Sequence, residues 1–434
     1  MNRWSLWIIG SDKNIDRRNM SWNMVGSFLY AFASMVLSIA VIQLVGEDLG
    51  GIFTFGYSTF GQHMFMVAYF GIRPFHITDT ESRYSFGEYL RLRYLTCAAA
   101  VLFGLFYVFV NGYSYVKAMT VIWLVIYKVV DGFADAYEAE FQRNGRLYLT
   151  GKSNTFRTLL SVGVFLSVLY VTRNLVWASQ AGAGAQLLGL LLFDVAVMRA
   201  IPGVDRSVKG SQVCRLFRDN LLLFFSVVLD FYIFSAAKYA IEGNMTDADL
   251  AVYGAIFMPT SVINLVAGFV IRPYLTKLSV QWENRRYKRF RSIVKNLVLV
   301  ILGLTVVAVL GAWFLGIPVL SLLYPNIGYA LARCRTALLY IILGGALNAL
   351  MTLFYYSLII MKWQRVIFAG YLGVGAAAFL ISPVFVRAMG IDGGAFSYMI
   401  LMFLLMLCFG AAAFGVYRRT VLRELGRKGG RRDA

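Results

Sequence analysis

The chain has 434 residues, of which 59% are hydrophobic and only 15% are charged, and its mean hydropathy is +0.67. A water-soluble fold of this length could not hide so much apolar surface, so the composition indicates a polytopic membrane protein and excludes a soluble enzyme. In a soluble protein the formal net charge of +19 would suggest nucleic-acid binding. In a membrane protein its interpretation depends on which side of the membrane the basic residues lie.

The chain begins with a polar segment that contains Trp4, Trp7, Ile8 and Ile9. This pattern fits either a short interfacial helix or a disordered tail. The first apolar run is too long for a signal peptide and lacks a convincing cleavage site, so we expect an uncleaved anchor.

About twelve apolar runs follow, each long enough to cross a bilayer as a helix. The predicted spans are 20–44, 51–71, 89–110, 116–139, 155–171, 175–197, 216–240, 250–271, 294–315, 332–361, 366–386 and 395–416. The predicted division is a cytoplasmic or interfacial segment (1–19), an N-lobe of six helices (20–205), a C-lobe of six helices (206–417) and a basic cytoplasmic tail (418–434). We therefore predict an all-α membrane protein without a water-soluble domain.

The basic residues are distributed unevenly between the two sides of the predicted membrane. If the N-terminus is cytoplasmic, about 34 of the 41 Lys and Arg residues lie on that side. This asymmetry predicts that both termini are cytoplasmic. The basic run at 285–291 (RRYKRFR) is then explained by orientation and by contact with anionic lipid headgroups, so we expect membrane lipids and no nucleic acid as partners.

Two stretches of the chain echo each other about 199 residues apart. Residues 70–75 read FGIRPF and residues 269–274 read FVIRPY, and each pair, Arg73-Pro74 and Arg272-Pro273, is predicted to close the second helix of its lobe. Coincidence in an aromatic-rich chain is the alternative. If the copies are related, the lobes are parallel repeats about a pseudo-two-fold axis normal to the membrane. Each arginine could then grip an anionic phosphate or serve only as a positive-inside anchor.

The fourth predicted span carries Lys128, Asp131, Asp135 and Glu138, spaced so that all four share one helix face. Charges in hydrocarbon are costly, so this stripe is expected to face a bundle interior or a hydrated cavity. The alternative is a self-neutralising pair of Lys128 and Asp131, with the other acids reaching the cytoplasmic interface.

Other charged side chains also lie within predicted spans. Asp194 is placed on the sixth span, and Asp230 and Lys238 on the seventh. Charges on the fourth and seventh spans are expected to meet across the cleft between the lobes, although Lys238 could instead snorkel outward. His63 is a candidate proton-linked switch or an interior, hydrogen-bonded histidine.

Several kinds of chemistry have no support in the sequence. The four cysteines are far apart, and His63 and His76 are the only histidines, so neither a disulfide framework nor a metal site is expected. The string GVGAAA at 373–378 lies in an apolar helix without a preceding strand, which argues against a dinucleotide site. We expect no cofactor, no catalytic residue and no enzymatic activity.

Three stretches resemble the Wzx-type oligosaccharide-lipid flippases, the polysaccharide transporter branch of the multidrug/oligosaccharidyl-lipid/polysaccharide exporter (MOP) superfamily. They are GEDLGGIF at 46–53, YGAIF at 253–257 running on to RPYL at 272–275, and GIPVLSLLYP at 316–325. Pro325 departs from the glycine or small polar residue that the family pattern leads us to expect. The resemblance implies twelve helices in two lobes around a central cavity, in the bacterial cytoplasmic membrane.

The resemblance also implies a function. The protein would move a polyprenyl-diphosphate-linked oligosaccharide, a precursor of cell-surface polysaccharide, from the inner to the outer leaflet by alternating access, with glycan-assembly proteins as partners. The candidates for headgroup binding are Arg73, Arg272, Lys128 and Lys238, and the candidates for ion coupling or gating are Asp131, Asp135, Asp194, Asp230, Glu138 and His63. A multidrug or small-molecule exporter of the same superfamily is the alternative; a glycan polymerase or ligase is disfavoured by the short outer connections.

Overall fold

The computed structural model describes residues 3–10, 14–79 and 83–429, with side chains for 4–10, 14–79 and 83–422. Within these ranges the protein is built from helices, turns and bends, and they contain no β-strand. The all-α prediction is therefore confirmed for the part of the chain that the structure describes. The end of the predicted basic tail, 430–434, lies outside the described residues.

We number the membrane helices α1 to α12. The first six are α1 (Ile15–Val45), α2 (the consecutive segments Glu47–Phe53, Thr54–Thr59 and Phe60–Tyr69), α3 (Phe86–Asn111), α4 (Tyr115–Arg143), α5 (Leu147–Thr172) and α6 (Leu175–Ala200). The others are α7 (Gly210–Asn244), α8 (Asp247–Glu283), α9 (Tyr287–Leu323), α10 (Arg335–Ile360), and α11 and α12, which together occupy Gln364–Gly429 and meet at Gly390. Short helices precede α1 (Arg3–Ile9) and follow α2 (Arg73–Thr78).

Length and apolarity alone identify nine helices in the described ranges as able to cross a membrane. Three local features explain why twelve spans appear as nine. A π-helical turn at Thr54–Thr59 interrupts α2, and the charges of α4 lower its apolarity. The third feature is the junction of α11 and α12. These helices follow each other directly at Gly390, whose backbone has φ +60° and ψ −132°, so together they count as a single apolar helix.

The helices pack into two compact units. Unit 1 contains Met1–Phe231 and Thr246–Ala251, and unit 2 contains Tyr232–Met245 and Val252–Ala434. The start of α8 belongs to unit 1, where Asp247 forms an ion pair of 2.8 Å with Lys117 at the start of α4. The predicted lobe boundary between residues 205 and 206 stays a prediction.

The N-terminal helix Arg3–Ile9 packs on unit 1. Ile8 and Ile9 are buried in a cluster that includes residues of α4, α5 and α6. The hydroxyl of Ser5 donates to the carbonyl oxygen of Ala196 on α6 at 3.1 Å. Trp7 remains exposed, as expected of an aromatic side chain at headgroup depth. Of the two sequence-based alternatives, the structure shows the helix.

The two copies of the Ile-Arg-Pro motif adopt different local structures. After α2, Phe70 and Gly71 take left-handed backbone conformations, and the short helix Arg73–Thr78 then begins with Pro74 in its first turn. Pro273, in contrast, lies inside the helical segment Pro259–Glu283. The prediction that Arg272-Pro273 closes α8 is therefore wrong. A membrane helix can continue through a proline when its neighbours satisfy the carbonyl group that the ring leaves unbonded.

Candidate functional site

Helix α4 forms the centre of the candidate site in unit 1. Lys128, Asp131, Asp135 and Glu138 lie along it at helical spacing, and each is at most 5% exposed. A charge this deeply buried needs a partner, because its desolvation is expensive. The contacts of each side chain therefore decide what the stripe does.

Arg157 of α5 binds three carboxylates at once. Its guanidinium lies 2.9 Å from Asp131, 2.8 Å from Glu138 and 2.9 Å from Asp194, and the residue is only 1% exposed. Asp194 sits in a π-helical turn of α6, Leu190–Val195, and accepts a second hydrogen bond of 2.6 Å from the hydroxyl of Ser153. Arg157 thus ties α4, α5 and α6 together.

Asp135 is bound by two further arginines. Arg93 of α3 contacts one carboxylate oxygen at 2.8 Å and also donates to the carbonyl oxygen of Ala68 at 2.8 Å. Arg73 contacts the other oxygen at 2.5 Å and reaches Glu138 at 3.2 Å. The side chain of Arg73 keeps 24% of its surface exposed, so it is the accessible edge of an otherwise buried network.

Lys128 does not form the predicted pair with Asp131. Its ammonium lies 3.9 Å from the centre of the Tyr57 ring and 3.4 Å from the hydroxyl of Tyr30, which donates to Asp131 at 2.8 Å. Within the described residues no carboxylate oxygen lies within 4.0 Å of the Lys128 ammonium. The alternative of a self-neutralising Lys128–Asp131 pair is therefore wrong, because Asp131 pairs with the guanidinium of Arg157 instead.

The network is balanced when all its groups are ionised. Three arginines and Lys128 face four carboxylates, those of Asp131, Asp135, Glu138 and Asp194. The burial of these side chains supports a paired network more than the lining of an open cavity. The pairing runs between helices rather than along α4 alone.

Sequence reasoning missed Arg93 and Arg157. Both lie inside predicted spans, at 89–110 and 155–171, and this position was the available signal. An arginine within a predicted span, like an acid there, predicts a buried partner of opposite charge.

The remaining candidates of unit 1 lie apart from the arginine network. His63 of α2 is half-buried, and the Phe231 ring lies edge-on to its imidazole at 5.5 Å. Asp230, also half-buried, directly precedes Phe231 on α7. These placements leave the proposed ion-coupling roles of both residues as predictions.

A second, smaller cluster lies at the C-terminal end of α4. His76, in the short helix after α2, contacts Glu140 at 2.8 Å, and its ring stacks on Tyr89 at 3.8 Å. Burial lowers the pKa of His76 below its usual value, while the neighbouring Glu140 carboxylate opposes that shift. The cluster holds the segment that carries Arg73 against α4.

In unit 2, Lys238 is buried rather than directed outward. It is 7% exposed, and its ammonium lies 4.3 Å from the centre of the Phe257 ring. Among the described residues no carboxylate oxygen lies within 4.0 Å of it. Arg272 is different, because its side chain is exposed on the continuous helix of α8.

The comparisons with known proteins come from structure alone. No family model matches the chain, and no curated protein matches it. A solved structure described as the inward-facing conformation of a multidrug resistance MATE family transporter of the MOP superfamily matches with a TM-score of 0.70 at 12% identity, covering 93% of this chain and 98% of that one.

Two further solved structures have a similar fold. The eukaryotic MATE transporter AtDTX14 has a TM-score of 0.61 at 12% identity over 94% of this chain and 99% of its own. The Vibrio cholerae MATE transporter VcmN, in its bent form, has a TM-score of 0.57 at 11% identity over 97% of this chain and 99% of its own. These neighbours are transporters and not enzymes. The fold-class prediction is confirmed: the chain has the all-α, twelve-helix, two-lobe fold of the MATE transporters of the MOP superfamily.

Proposed function

We propose that this chain is an exporter that moves its cargo across a membrane by alternating access. The observation that carries the proposal is the fold match, which spans nearly the full length of both chains at a TM-score of 0.70. The matched structures are titled as multidrug or MATE transporters. This supports a small-molecule exporter of the MOP type as the first candidate function.

The ion pairs of unit 1 bear on the charge of the transported small molecule. Asp131, Asp135 and Glu138 each bind an arginine, and so does Asp194. A carboxylate already paired with a guanidinium attracts an organic cation weakly, because a second cation must displace or share the first. The described site therefore favours a neutral or anionic cargo over an organic cation.

A lipid-linked oligosaccharide flippase is the second candidate function. It is supported by the buried Lys238 of unit 2, whose ammonium contacts the aromatic ring of Phe257 rather than a carboxylate. A diphosphate would supply the missing negative charge. We propose that such a flippase would act in a bacterial cytoplasmic membrane with both termini inside, and that glycan-assembly proteins would supply and consume its cargo.

The proposed residue roles are headgroup contact and ion coupling or gating. Arg73, Arg272, Lys128 and Lys238 stay candidates for headgroup contact, and Arg73 is the best placed of the two arginines because its side chain is partly accessible beside two carboxylates. The candidates for ion coupling or gating stay those on α2, α4, α6 and α7: His63, Asp131, Asp135, Glu138, Asp194 and Asp230.

Flux into proteoliposomes tests the function. The purified chain is reconstituted, a pH or sodium gradient is imposed, and three cargoes are compared: ethidium, a soluble fluorescent anion such as carboxyfluorescein, and a fluorescent polyprenyl-diphosphate sugar. Empty vesicles are the control. Export of the soluble anion supports the first candidate, and movement of the lipid alone supports the second.

Two outcomes contradict the proposal. Transport of ethidium with rejection of both anions would show that the paired carboxylates are open to cations after all. Failure to move any of the three cargoes, by protein that is correctly inserted, would contradict an exporter of charged cargo.

A further inference from the structure

The short N-terminal helix Arg3–Ile9 has an inner face and an outer face. Ser5, Ile8 and Ile9 fall within an arc of about 100° at helical spacing, and all three are buried. Trp4 and Trp7 lie toward the other side of the helix and are 38% and 64% exposed. The inner face explains how the helix packs on unit 1, whereas the exposed tryptophans need a different explanation.

The outer face continues a surface that faces lipid. Leu191 of α6 is 49% exposed, and it directly precedes Leu192, whose carbonyl oxygen accepts a hydrogen bond of 3.3 Å from the indole N–H of Trp4. Helix α6 is long and apolar enough to cross a membrane, so an exposed leucine on it faces acyl chains. Tryptophan concentrates at the boundary between acyl chains and headgroups, because its ring is apolar and its N–H is polar. The outer face therefore fits the interface of a bilayer.

Basic side chains lie at the C-terminal end of the same helix. The ammonium of Lys152, near the start of α5, donates to the carbonyl oxygen of Ile8 at 2.6 Å, and the guanidinium of Arg18 donates to that of Ile9 at 2.7 Å. Arg17, next to Arg18 in the chain, is exposed. An ammonium has three N–H groups, so Lys152 can bind a lipid phosphate while it holds the helix end. The positive charge at this end complements the phosphates of a headgroup layer.

The inner face of the helix binds the π-helical turn of α6, Leu190–Val195. Trp4 donates to the carbonyl oxygen of Leu192 within that turn, and the hydroxyl of Ser5 donates at 3.1 Å to the carbonyl oxygen of Ala196 directly after it. A single π-helical turn is a rare interruption of an α-helix, so contacts from a second element help to hold it. Asp194 lies between the two bound carbonyl groups. The N-terminal helix therefore fixes the turn that presents this carboxylate to the arginine network.

We propose that the outer face of the N-terminal helix docks on the headgroup region of a phospholipid bilayer, and that this contact positions Asp194 for Arg157 through the π-helical turn of α6. Trp4 and Ser5 are then positioning residues, because they act on the network only through that turn. The partner is lipid rather than cargo, so this role does not depend on which molecule the protein moves.

Depth-dependent quenching tests the docking. Trp7→Cys, in a full-length chain whose native cysteines are replaced, is labelled with bimane and reconstituted into phosphatidylcholine vesicles that contain a nitroxide lipid. A nitroxide near the headgroup should quench the label more strongly than one at the end of the acyl chain, because the helix lies at headgroup depth. Asp205→Cys, at an exposed position between α6 and α7, is the matched control and should be quenched only weakly by both lipids.

Two results would overturn the docking. Quenching at position 7 that is as weak as in the control would mean that water or a protein partner covers the outer face. Stronger quenching by the chain-end nitroxide would place the helix among the acyl chains, away from the phosphates.

A double-mutant cycle tests the link to Asp194. Trp7→Ser should lower the unfolding temperature in phosphatidylcholine nanodiscs by about 2–4 °C. In an Asp194→Asn background the same substitution should lower it by less than half as much, because the carboxylate that the turn presents is gone. Asn keeps the size of Asp and can still accept from Ser153, so the background variant retains its packing. Ser5→Ala, which removes one bond to the turn, should show the same dependence on the background.

Trp177→Ser is the matched control for the cycle. Trp177 is 61% exposed, close to the value for Trp7, but it lies near the N-terminal end of α6, about 20 Å along the helix from the π-helical turn. Its substitution should have the same effect in both backgrounds. Equal effects of Trp7→Ser in the two backgrounds would overturn the positioning of Asp194, since a merely structural anchor behaves in that way. An unchanged unfolding temperature after Trp7→Ser in the original chain would overturn the docking.

Discussion

Replacing Arg157 by alanine is the sharpest perturbation of the unit 1 network. The guanidinium contacts Asp131, Glu138 and Asp194 at distances from 2.8 to 2.9 Å, and all of these residues are buried. Removing it leaves three carboxylates in the membrane interior with their main cation gone. Breaking a buried ion pair from one side typically costs 3–5 kcal/mol.

The structure places the expected cost at the lower end of that range. After Arg157→Ala each carboxylate keeps at least one other donor within reach: Ser153 for Asp194 at 2.6 Å, Tyr30 for Asp131 at 2.8 Å, and Arg73 for Glu138 at 3.2 Å. We therefore expect the free energy of unfolding to fall by about 3 kcal/mol. Adding Asp194→Asn restores equal numbers of positive and negative groups and should recover part of the loss.

Unfolding in mixed micelles with increasing sodium dodecyl sulfate measures these differences. The control is Arg199→Ala, which removes an exposed arginine from α6 and should lie within about 0.5 kcal/mol of the original chain. An Arg157→Ala variant that lost less than about 1 kcal/mol would refute the network as a stabilising element. No recovery from the added Asp194→Asn change would refute the charge balance.

Three further predictions address other parts of unit 1 and α8. Gly151→Ala would put a Cβ against the backbone of α1 and should cost about 1–3 kcal/mol in the same micelle titration, whereas Gly163→Ala on the same helix meets no atom within 4 Å and should cost nothing. Burial lowers the pKa of His76, so the unfolded chain takes up the proton first, and stability should fall relative to His76→Gln as the pH drops below about 6.5 but stay parallel above it. Arg73→Ala should lower the unfolding temperature in a thermal melt, because Asp135 and Glu138 each lose one of two guanidinium contacts, while the exposed Arg272→Ala should leave that temperature unchanged.

The acidic stripe of α4 was predictable because the helical period fixes which side chains share a face. Its partners were not, since Arg157 and Arg93 reach α4 only through the packing of α5 and α3. A sequence pattern within one helix contains no information about the helix that packs against it. The local spacing therefore offered Lys128 as an alternative partner of Asp131, where the fold supplies the guanidinium of Arg157.

The repeated Ile-Arg-Pro motif shows a second limit. Both copies were predicted to end a helix, because proline disfavours the helical conformation of the preceding residue. Pro74 does follow a helix end, where Phe70 and Gly71 adopt positive φ angles, but Pro273 lies inside a helix that ends at Glu283. Tertiary contacts decide between these outcomes, and identical short sequences therefore took different structures.

The burial of Lys238 could also not be predicted from the sequence. A lysine near the end of a predicted span usually snorkels toward the headgroups, since its stem is long enough to carry the charge to water. Here the helix extends to Asn244, beyond the predicted end at residue 240, and the ammonium lies on the Phe257 ring. The longer helix and the ring of α8 keep the charge inside.

The central claim is that cargo-binding groups inside this fold meet water from each side of the membrane in turn. Ser235→Cys, one turn before Lys238 on α7, in a chain whose native Cys97, Cys214, Cys334 and Cys408 are replaced, measures this directly with a membrane-impermeant thiol reagent. Alternating access predicts labelling in both right-side-out and inside-out vesicles, and protection when a transported cargo is present. Protection from both sides without cargo would contradict it.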